Sequence, residues 1–189
     1  GKIQQLVATS YDSAREVETK YGEETVSFLS SLHKNLATTG VSVYDHIDGT
    51  KMHERPSKDA LVRSGPFDIV VFNFPHVGGG SLEDDKEKNV CLVRDFLASI
   101  RESPWIHSVR NRSQFRIHIT LRDTSFYKSW NIVELAKEQG FVLDKTQKFE
   151  SAEFEKLGYK AVRTSGTKTM RGAPETLDAT RYIFAFSQS

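Results

Sequence analysis

The sequence predicts an α/β fold built on a doubly wound, Rossmann-like sheet. One observation is a series of short apolar segments, such as residues 67–74, with the length and residue types of buried β-strands. Another is that amphipathic helical segments, such as residues 23–38, separate these strands. Strands that alternate with helices in this way form right-handed βαβ units. Because 189 residues suit one hydrophobic core, we predict a single domain over residues 1–189.

The chain opens with a strand that leads into a capped helix. Residues 3–11 predict a short buried strand that ends at Asp12. Ser13 follows as an N-cap, and Glu16 has the spacing of its capping-box partner. We therefore expect a helix from this cap to about Tyr21.

A second helix and a second strand follow. Apolar residues recur at helical spacing across residues 23–38, and Gly40 is placed to end that helix. Residues 41–44 begin the next strand. Proline and glycine then bracket residues 56–66, which predict a short helical piece.

The strongest predicted strand covers residues 67–74. Its nearly continuous apolar character is typical of a parallel strand that is buried on both faces. Three glycines follow at 78–80, and Ser81 is placed to cap a long helix with an acidic first turn. The remaining elements are a strand at 114–121, a helix at 130–139, a strand that opens at 140–142 and a closing strand at 181–186.

The composition excludes several classes of protein. No apolar run approaches the roughly 18 residues that a membrane span needs, and no secretory leader is visible. The lone Cys91 excludes a disulfide framework and a multi-cysteine metal site within the chain, and the histidines lack metal-ligand spacing. We therefore predict no membrane segment and no metal, and a reducing compartment.

Acidic side chains follow the first two predicted strands. In a doubly wound sheet, ligands bind at the carboxyl ends of the strands. Asp12 is placed there to accept both hydroxyls of a ribose, and Asp48 to accept the exocyclic amine of an adenine. Helix capping explains Asp12 equally well, and an Asp-Gly turn explains Asp48. Both interpretations stay open for each residue.

Asn73, Phe74, Pro75 and His76 end the strongest strand. They would put a side-chain amide and a fixed carbonyl at the mouth of the sheet, because proline stiffens the turn and removes a backbone donor. This chemistry suits a planar nitrogen-bearing base that stacks on an aromatic ring, and His76 can take or donate a proton there. The alternative is a simple turn with a polar cap.

A basic segment near the end of the chain is the predicted contact for a polyanion. It contains Lys160, Arg163, Lys168 and Arg171, with no acidic residue between Glu155 and Glu175. Glycines between polar residues indicate a loop, which can lie along phosphate groups. A merely solvated loop is the alternative.

Four segments resemble the Rossmann-type ribosomal RNA (uridine-N3)-methyltransferase family. They are residues 8–13 (Ala-Thr-Ser-Tyr-Asp-Ser), residues 67–79 around Asn-Phe-Pro-His, residues 127–132 (Tyr-Lys-Ser-Trp-Asn-Ile) and residues 178–184. The likeness spans nearly the whole chain. The Asn-Phe-Pro-His and Ser-Trp-Asn-Ile segments carry most of its specificity.

The resemblance implies a class I methyltransferase fold, S-adenosylmethionine as the methyl donor, and N3 of a ribosomal RNA uridine as the acceptor. By this analogy Asp12 and Asp48 hold the cofactor ribose and adenine. Asn73, Pro75 and His76 face the target base, and Phe74 stacks on it. The family's first strand and glycine-rich cofactor loop would precede Ile3, so the resemblance describes an N-terminally incomplete domain.

The resemblance also implies ribosomal RNA or a pre-ribosomal particle as partner, with a nucleolar or nuclear location and a mitochondrial one as the alternative.

Two segments differ from the family's pattern. Asp-Gly-Glu-Pro-Tyr is here residues 123–127 (Asp-Thr-Ser-Phe-Tyr), and Gly-Tyr-x-His-Arg-Arg-Thr is here residues 158–164 (Gly-Tyr-Lys-Ala-Val-Arg-Thr). These differences leave open a catalytically inactive methyltransferase-fold protein that binds RNA in ribosome assembly. An interaction domain without an RNA role is a third possibility, because fold alone does not fix function.

Overall fold

The structure is a computed structural model that describes residues 5–34, 40–77, 82–106, 112–156 and 178–187. The chain divides into two compact units, Gly1–Gly65 and Pro66–Ser189. The prediction of a single domain over the whole chain stays a prediction. None of the helices in the described ranges is long and apolar enough to cross a membrane, and no group of three or more potential metal ligands occurs there.

The first unit contains a two-stranded parallel sheet with its connecting helices. Its elements are β1 (Leu6–Thr9), α1 (Ala14–Tyr21), α2 (Glu23–Lys34), β2 (Val41–Tyr44), a 3₁₀ turn (Gly49–Lys51) and α3 (Ser57–Leu61). The strands pair in register from Leu6 with Val41 to Thr9 with Tyr44. A parallel pair requires a crossover connection, which α1 and α2 supply. The predicted order of elements in this unit is therefore confirmed.

The predicted capping box at the start of α1 is confirmed. The Glu16 backbone N–H donates to Ser13 Oγ at 3.2 Å, and the Ser13 backbone N–H donates to Glu16 Oε2 at 2.8 Å. Gly22 separates α1 from α2 with a φ of 89°, a left-handed value that favours glycine. The predicted C-terminal part of α2, residues 35–38, lies outside the described residues.

The second unit contains a four-stranded mixed sheet in the order β3-β4-β6-β5. Its elements are β3 (Ile69–Asn73), α4 (Leu82–Arg101), β4 (Arg116–Arg122), α5 (Ser125–Lys128), α6 (Ile132–Glu138), β5 (Phe141–Lys148), α7 (Ser151–Glu155) and β6 (Ala179–Phe186). β3 and β4 are parallel, as predicted for a βαβ unit around α4. β6 is antiparallel to both of its neighbours, β4 and β5. The alternation of strands and helices along the sequence does not predict that the last strand, β6, lies between β4 and β5.

One face of this sheet forms the core of the second unit. α4 contributes Val93, Phe96, Leu97 and Ile100, and β4 contributes Ile117, Ile119 and Leu121, all of them buried. The rings of Phe72 and Phe96 lie 4.6 Å apart, which joins β3 to α4. Burial of this apolar surface is the main term that stabilises the unit.

The prediction that the strongest strand is buried on both faces is wrong for β3. Ile69 is 50% exposed and Val71 is 53% exposed, because these residues point to the opposite face of the sheet from α4. An apolar run reports which residue types a strand contains, but it does not report whether both faces are covered. Arg116 and His118 are the register neighbours of these two residues on β4, so this face is polar as well as apolar.

Candidate active site

The carboxyl end of β3 places an exposed amide against a buried hydroxyl. Asn73 is the last residue of β3 and pairs in register with Thr120 on the neighbouring strand β4. The Thr120 hydroxyl donates to Asn73 Oδ1 at a distance of 2.7 Å. Thr120 is fully buried, whereas Asn73 is exposed. The predicted amide at the mouth of the sheet is therefore present, and a partner that is not adjacent in sequence orients it.

The turn after β3 is held by two further contacts. The Phe74 backbone N–H donates to the Thr120 carbonyl oxygen at 2.9 Å, which extends the β3–β4 ladder by one residue. The Val77 backbone N–H donates to Asn89 Oδ1, also at 2.9 Å, and Asn89 is fully buried on α4. Phe74 lies between these two points with a φ of 52°. A bulky residue in this left-handed region is strained, and such strain is concentrated at functional sites.

Aromatic rings line the same edge of the sheet. The Phe74 ring is edge-on to Phe149 at 5.3 Å, and Phe154 stacks on Phe149 at 5.0 Å with an interplanar angle of 5°. The Arg181 guanidinium lies over the rings of Phe149 and Phe154, 5.5 and 5.9 Å from their centroids. Phe154 remains 37% exposed. Aromatic and guanidinium planes of this kind are surfaces on which nucleobases stack.

His76 lies close to two aromatic residues of α5. Its ring centroid is 6.4 Å from Phe126 and 6.5 Å from Tyr127. Burial raises the pKa of the Tyr127 phenol, so this group stays protonated at neutral pH. Residues 123–127, which differ from the family's pattern, therefore supply the aromatic neighbours of His76. In that segment Asp123 also accepts a hydrogen bond from the Thr180 hydroxyl on β6.

Asp12 lies in the first unit, after the carboxyl end of β1. Asp12 Oδ1 is 2.6 Å from Lys20 Nζ. The hydrogen bond to this carboxylate raises the pKa of Lys20. The helix-capping alternative for Asp12 is wrong, because Ser13 is the N-cap of α1.

Asp48 follows β2 and caps the 3₁₀ turn. Its Oδ1 accepts hydrogen bonds from the Thr50 backbone N–H at 2.9 Å and from the Thr50 hydroxyl at 2.6 Å. The turn interpretation of Asp48 is therefore confirmed. The adenine interpretation stays open, because both of these bonds use Oδ1 and leave the other carboxylate oxygen as an acceptor.

The two carboxylates fit the adenosine part of a nucleoside cofactor. They follow adjacent parallel strands, so both lie at the carboxyl edge of the β1–β2 pair. Within the described part of the chain, no hydrogen bond reaches Oδ2 of Asp12 or of Asp48. A carboxylate oxygen of this kind accepts ribose hydroxyls or an exocyclic amine. The predicted cofactor-binding residues thus retain suitable acceptors.

The predicted site residues divide between the two units. Asp12 and Asp48 lie in the first unit, and Asn73, Phe74, Pro75 and His76 lie together in the second. The basic residues Lys160, Arg163, Lys168 and Arg171 lie outside the described residues. The sequence reasoning missed Thr120, Asn89, Phe149 and Arg181. Only Asn89 carried a local signal, a polar residue four positions before the buried Val93 on α4.

Both units are α/β, and each carries polar groups after the carboxyl ends of parallel strands. A model of the BMT5-like family, described as rRNA (uridine-N3-)-methyltransferase BTM5-like, matches residues 1–163. The chain belongs to this family. The predicted family, a family of ribosomal RNA methyltransferases, is therefore confirmed.

The chain is also similar to individual proteins. The uncharacterized protein At4g26485 of Arabidopsis thaliana is 29% identical over 196 residues, covering 99% of this chain and 83% of that protein. The 25S rRNA (uridine(2634)-N(3))-methyltransferase of Saccharomyces cerevisiae is 26% identical over 227 residues, covering 95% of this chain. This chain spans 64% of the length of the yeast enzyme. Among solved structures, the 16S rRNA methyltransferase KamB aligns with a TM-score of 0.46 and 12% identity, over 97% of this chain and 88% of KamB.

Proposed function

We propose that this chain is the methyltransferase domain of an enzyme that uses S-adenosylmethionine to methylate N3 of a uridine in ribosomal RNA. The observation that carries the proposal is the strained Asn-Phe-Pro-His turn at the end of β3. Thr120 and Asn89, both fully buried, hold it from two sides. A turn fixed in this way keeps polar groups in one geometry, which an active site requires.

In this proposal the first unit holds the adenosine part of the cofactor. Asp12 accepts the ribose hydroxyls, and Asp48 accepts the adenine amine while its other oxygen keeps the cap on Thr50. The hydrogen bonds within the described part of the chain leave one oxygen of each carboxylate for these bonds. Asp12 would share its carboxylate between Lys20 and the ribose.

The second unit binds and orients the target base. Asn73 and the Pro75 carbonyl contact the edge of the base, and Phe74 provides an aromatic surface beside it. When bound, S-adenosylmethionine supplies an electrophilic methyl group, so that the N3–CH₃ bond forms, the S–CH₃ bond breaks and the N3 proton leaves. His76 accepts that proton, since a neutral imidazole carries one ring nitrogen that accepts, and polar groups in reach of an imino proton assist its loss. A paired base would first have to be extruded from its helix.

Ribosomal RNA or a pre-ribosomal particle is the proposed partner. Lys160, Arg163, Lys168 and Arg171 would contact phosphate groups, which position RNA without reading its sequence. The corresponding proposal for its location is the nucleolus or nucleus, with mitochondria as the alternative.

The experiment that tests the proposed function combines binding and turnover. Calorimetry measures S-adenosylmethionine binding by this chain and by the longest native product that contains it. Transfer of tritiated methyl groups to in vitro transcribed ribosomal RNA is then compared for wild type, Asn73→Ala and Gln114→Ala. Gln114 is an exposed amide at the opposite, amino-terminal side of β4, so it is a matched control. We expect transfer by wild type and Gln114→Ala and a loss of about 100-fold in Asn73→Ala.

The outcomes separate the enzyme from its alternative. Equal rates for Asn73→Ala and wild type would contradict the placement of the target base. RNA binding without cofactor binding by either product would support the inactive assembly factor instead.

A further inference from the structure

We infer that Thr120 is a positioning residue that makes the site selective for uridine over cytidine by fixing the orientation of the Asn73 amide. The inference rests on the proposed function, because it concerns the base that Asn73 faces. It deepens that function by naming the residue that determines which pyrimidine fits.

The orientation of the amide follows from the contact between the two side chains. Thr120 Oγ1 lies 2.7 Å from Asn73 Oδ1. A carbonyl oxygen only accepts, so the threonine hydroxyl must donate. Asn73 makes no other side-chain hydrogen bond with any residue that the structure describes, which leaves its NH₂ group for a ligand. Asn73 therefore presents two N–H donors from an exposed position.

Thr120 is well suited to hold the amide in this orientation. It is fully buried, and branching at Cβ restricts its side chain to few rotamers. Its carbonyl oxygen also accepts the backbone N–H of Phe74 at 2.9 Å. One residue thus contacts both the side chain of Asn73 and the peptide that follows it, and with the Thr120 hydroxyl as donor the NH₂ group of Asn73 is left for a ligand.

An outward NH₂ group complements uridine and opposes cytidine. Uridine carries carbonyl oxygens on both sides of N3, and each accepts an N–H donor. Cytidine keeps the oxygen at position 2 but carries an amino group at position 4, so the selectivity requires Asn73 to face position 4, where a donor would face a donor. A site built to hydrogen-bond one partner rejects the analogue that lacks the matching group, because buried polar groups are left unpaired. If the amide were free to flip, Asn73 could present its oxygen to the cytidine amine and this selectivity would fall.

The test removes the hydroxyl while it keeps the shape. Wild type, Thr120→Val and Thr120→Ser are incubated with S-adenosylmethionine and in vitro transcribed large-subunit ribosomal RNA. The RNA is digested to nucleosides, and 3-methyluridine and 3-methylcytidine are quantified by mass spectrometry. We expect Thr120→Val to lower 3-methyluridine formation by about tenfold and to raise the ratio of 3-methylcytidine to 3-methyluridine. Thr120→Ser keeps the hydroxyl donor, so this variant should show the wild-type ratio.

The product ratio is the decisive measurement, because a merely structural role would lower both products together. An unchanged ratio in Thr120→Val would overturn the inference while leaving the proposed function intact. A wild-type protein that makes no 3-methyluridine would overturn the proposed function, and the inference with it. Thermal unfolding of each variant identifies any loss of folded protein. If Thr120→Val fails to fold, the Thr120→Ser ratio decides alone, and a shifted ratio there would contradict the inference.

Discussion

The acidic pair of the first unit and the Asn-Phe-Pro-His turn of the second lie at equivalent places, the carboxyl ends of parallel strands. They differ in how their polar groups are held. Asp12 pairs with Lys20, eight residues along the chain, and Asp48 with Thr50, two residues along. Asn73 pairs with Thr120, 47 residues away and fully buried. The first region is supported locally and partly by solvent-exposed side chains, whereas the second is supported by the packed sheet.

This difference teaches that the two regions respond differently to binding. An exposed ion pair such as that of Asp12 and Lys20 contributes little and can rearrange around a ligand. The turn after β3 has no such freedom, since its partners are buried and its Phe74 is already in a left-handed conformation. We expect perturbations of the second region to cost stability and those of the first to change affinity instead.

The largest expected effect comes from Asn89. Asn89→Ala removes the acceptor of the Val77 backbone N–H and leaves a small cavity beside α4. We expect the free energy of unfolding to fall by about 2 kcal/mol, which urea denaturation measures. Lys88→Ala, an exposed neighbour on the same helix, is the control and should change stability by less than about 0.5 kcal/mol. Equal stability of the two variants would show that the turn does not depend on Asn89.

A second prediction isolates the strain at Phe74. Glycine adopts a positive φ freely, whereas alanine does not, so Phe74→Gly should be more stable than Phe74→Ala by about 1 kcal/mol. Phe72 lies in the regular part of β3 and supplies the matched pair. There the order should reverse, with Phe72→Gly less stable than Phe72→Ala. The same order at both positions would contradict a strained Phe74.

The two regions also show which parts of the fold and of the candidate site could be predicted from the sequence. The capping box of Ser13 and Glu16 and the turn at Asp48 follow from spacings of two or three residues, so local chemistry predicts them. Thr120 and Arg181 could not be predicted as site residues, because the pairing of β4 with β3 and β6 decides where they lie. The exposure of Val71 escaped prediction for a similar reason, since coverage of a sheet face is a property of the fold. The family resemblance located Asn73 without revealing what orients it.

The third prediction concerns the first region and uses the Asp12–Lys20 pair. Lys20→Met removes the competitor for the carboxylate, so we expect S-adenosylmethionine affinity to rise by a factor of about two to five, with little change in stability. Asp12→Asn should lower the affinity, because it removes the charged acceptor. Calorimetry measures both variants against wild type. Weaker binding by Lys20→Met would show that the lysine itself contacts the cofactor.

The smallest expected effect is a pH dependence at His118, on the sheet face opposite α4. Burial, and then the positive charges of Arg181, Lys145 and Arg116, lower the pKa of this imidazole below its usual range. As the pH falls below about 6.5, the unfolded chain takes up this proton before the folded one, so stability decreases towards the lower folded pKa.

His118→Gln removes that proton uptake. The variant should therefore lose less stability than wild type between about pH 6.5 and pH 5, while the difference between the two stays constant above that range. Urea midpoints measured across this pH range test the expectation, and the values above pH 7 serve as the internal reference. Parallel curves for the two proteins would mean that His118 has the same pKa in the folded and unfolded chains, which would contradict the lowering of this pKa by burial and by its cationic neighbours.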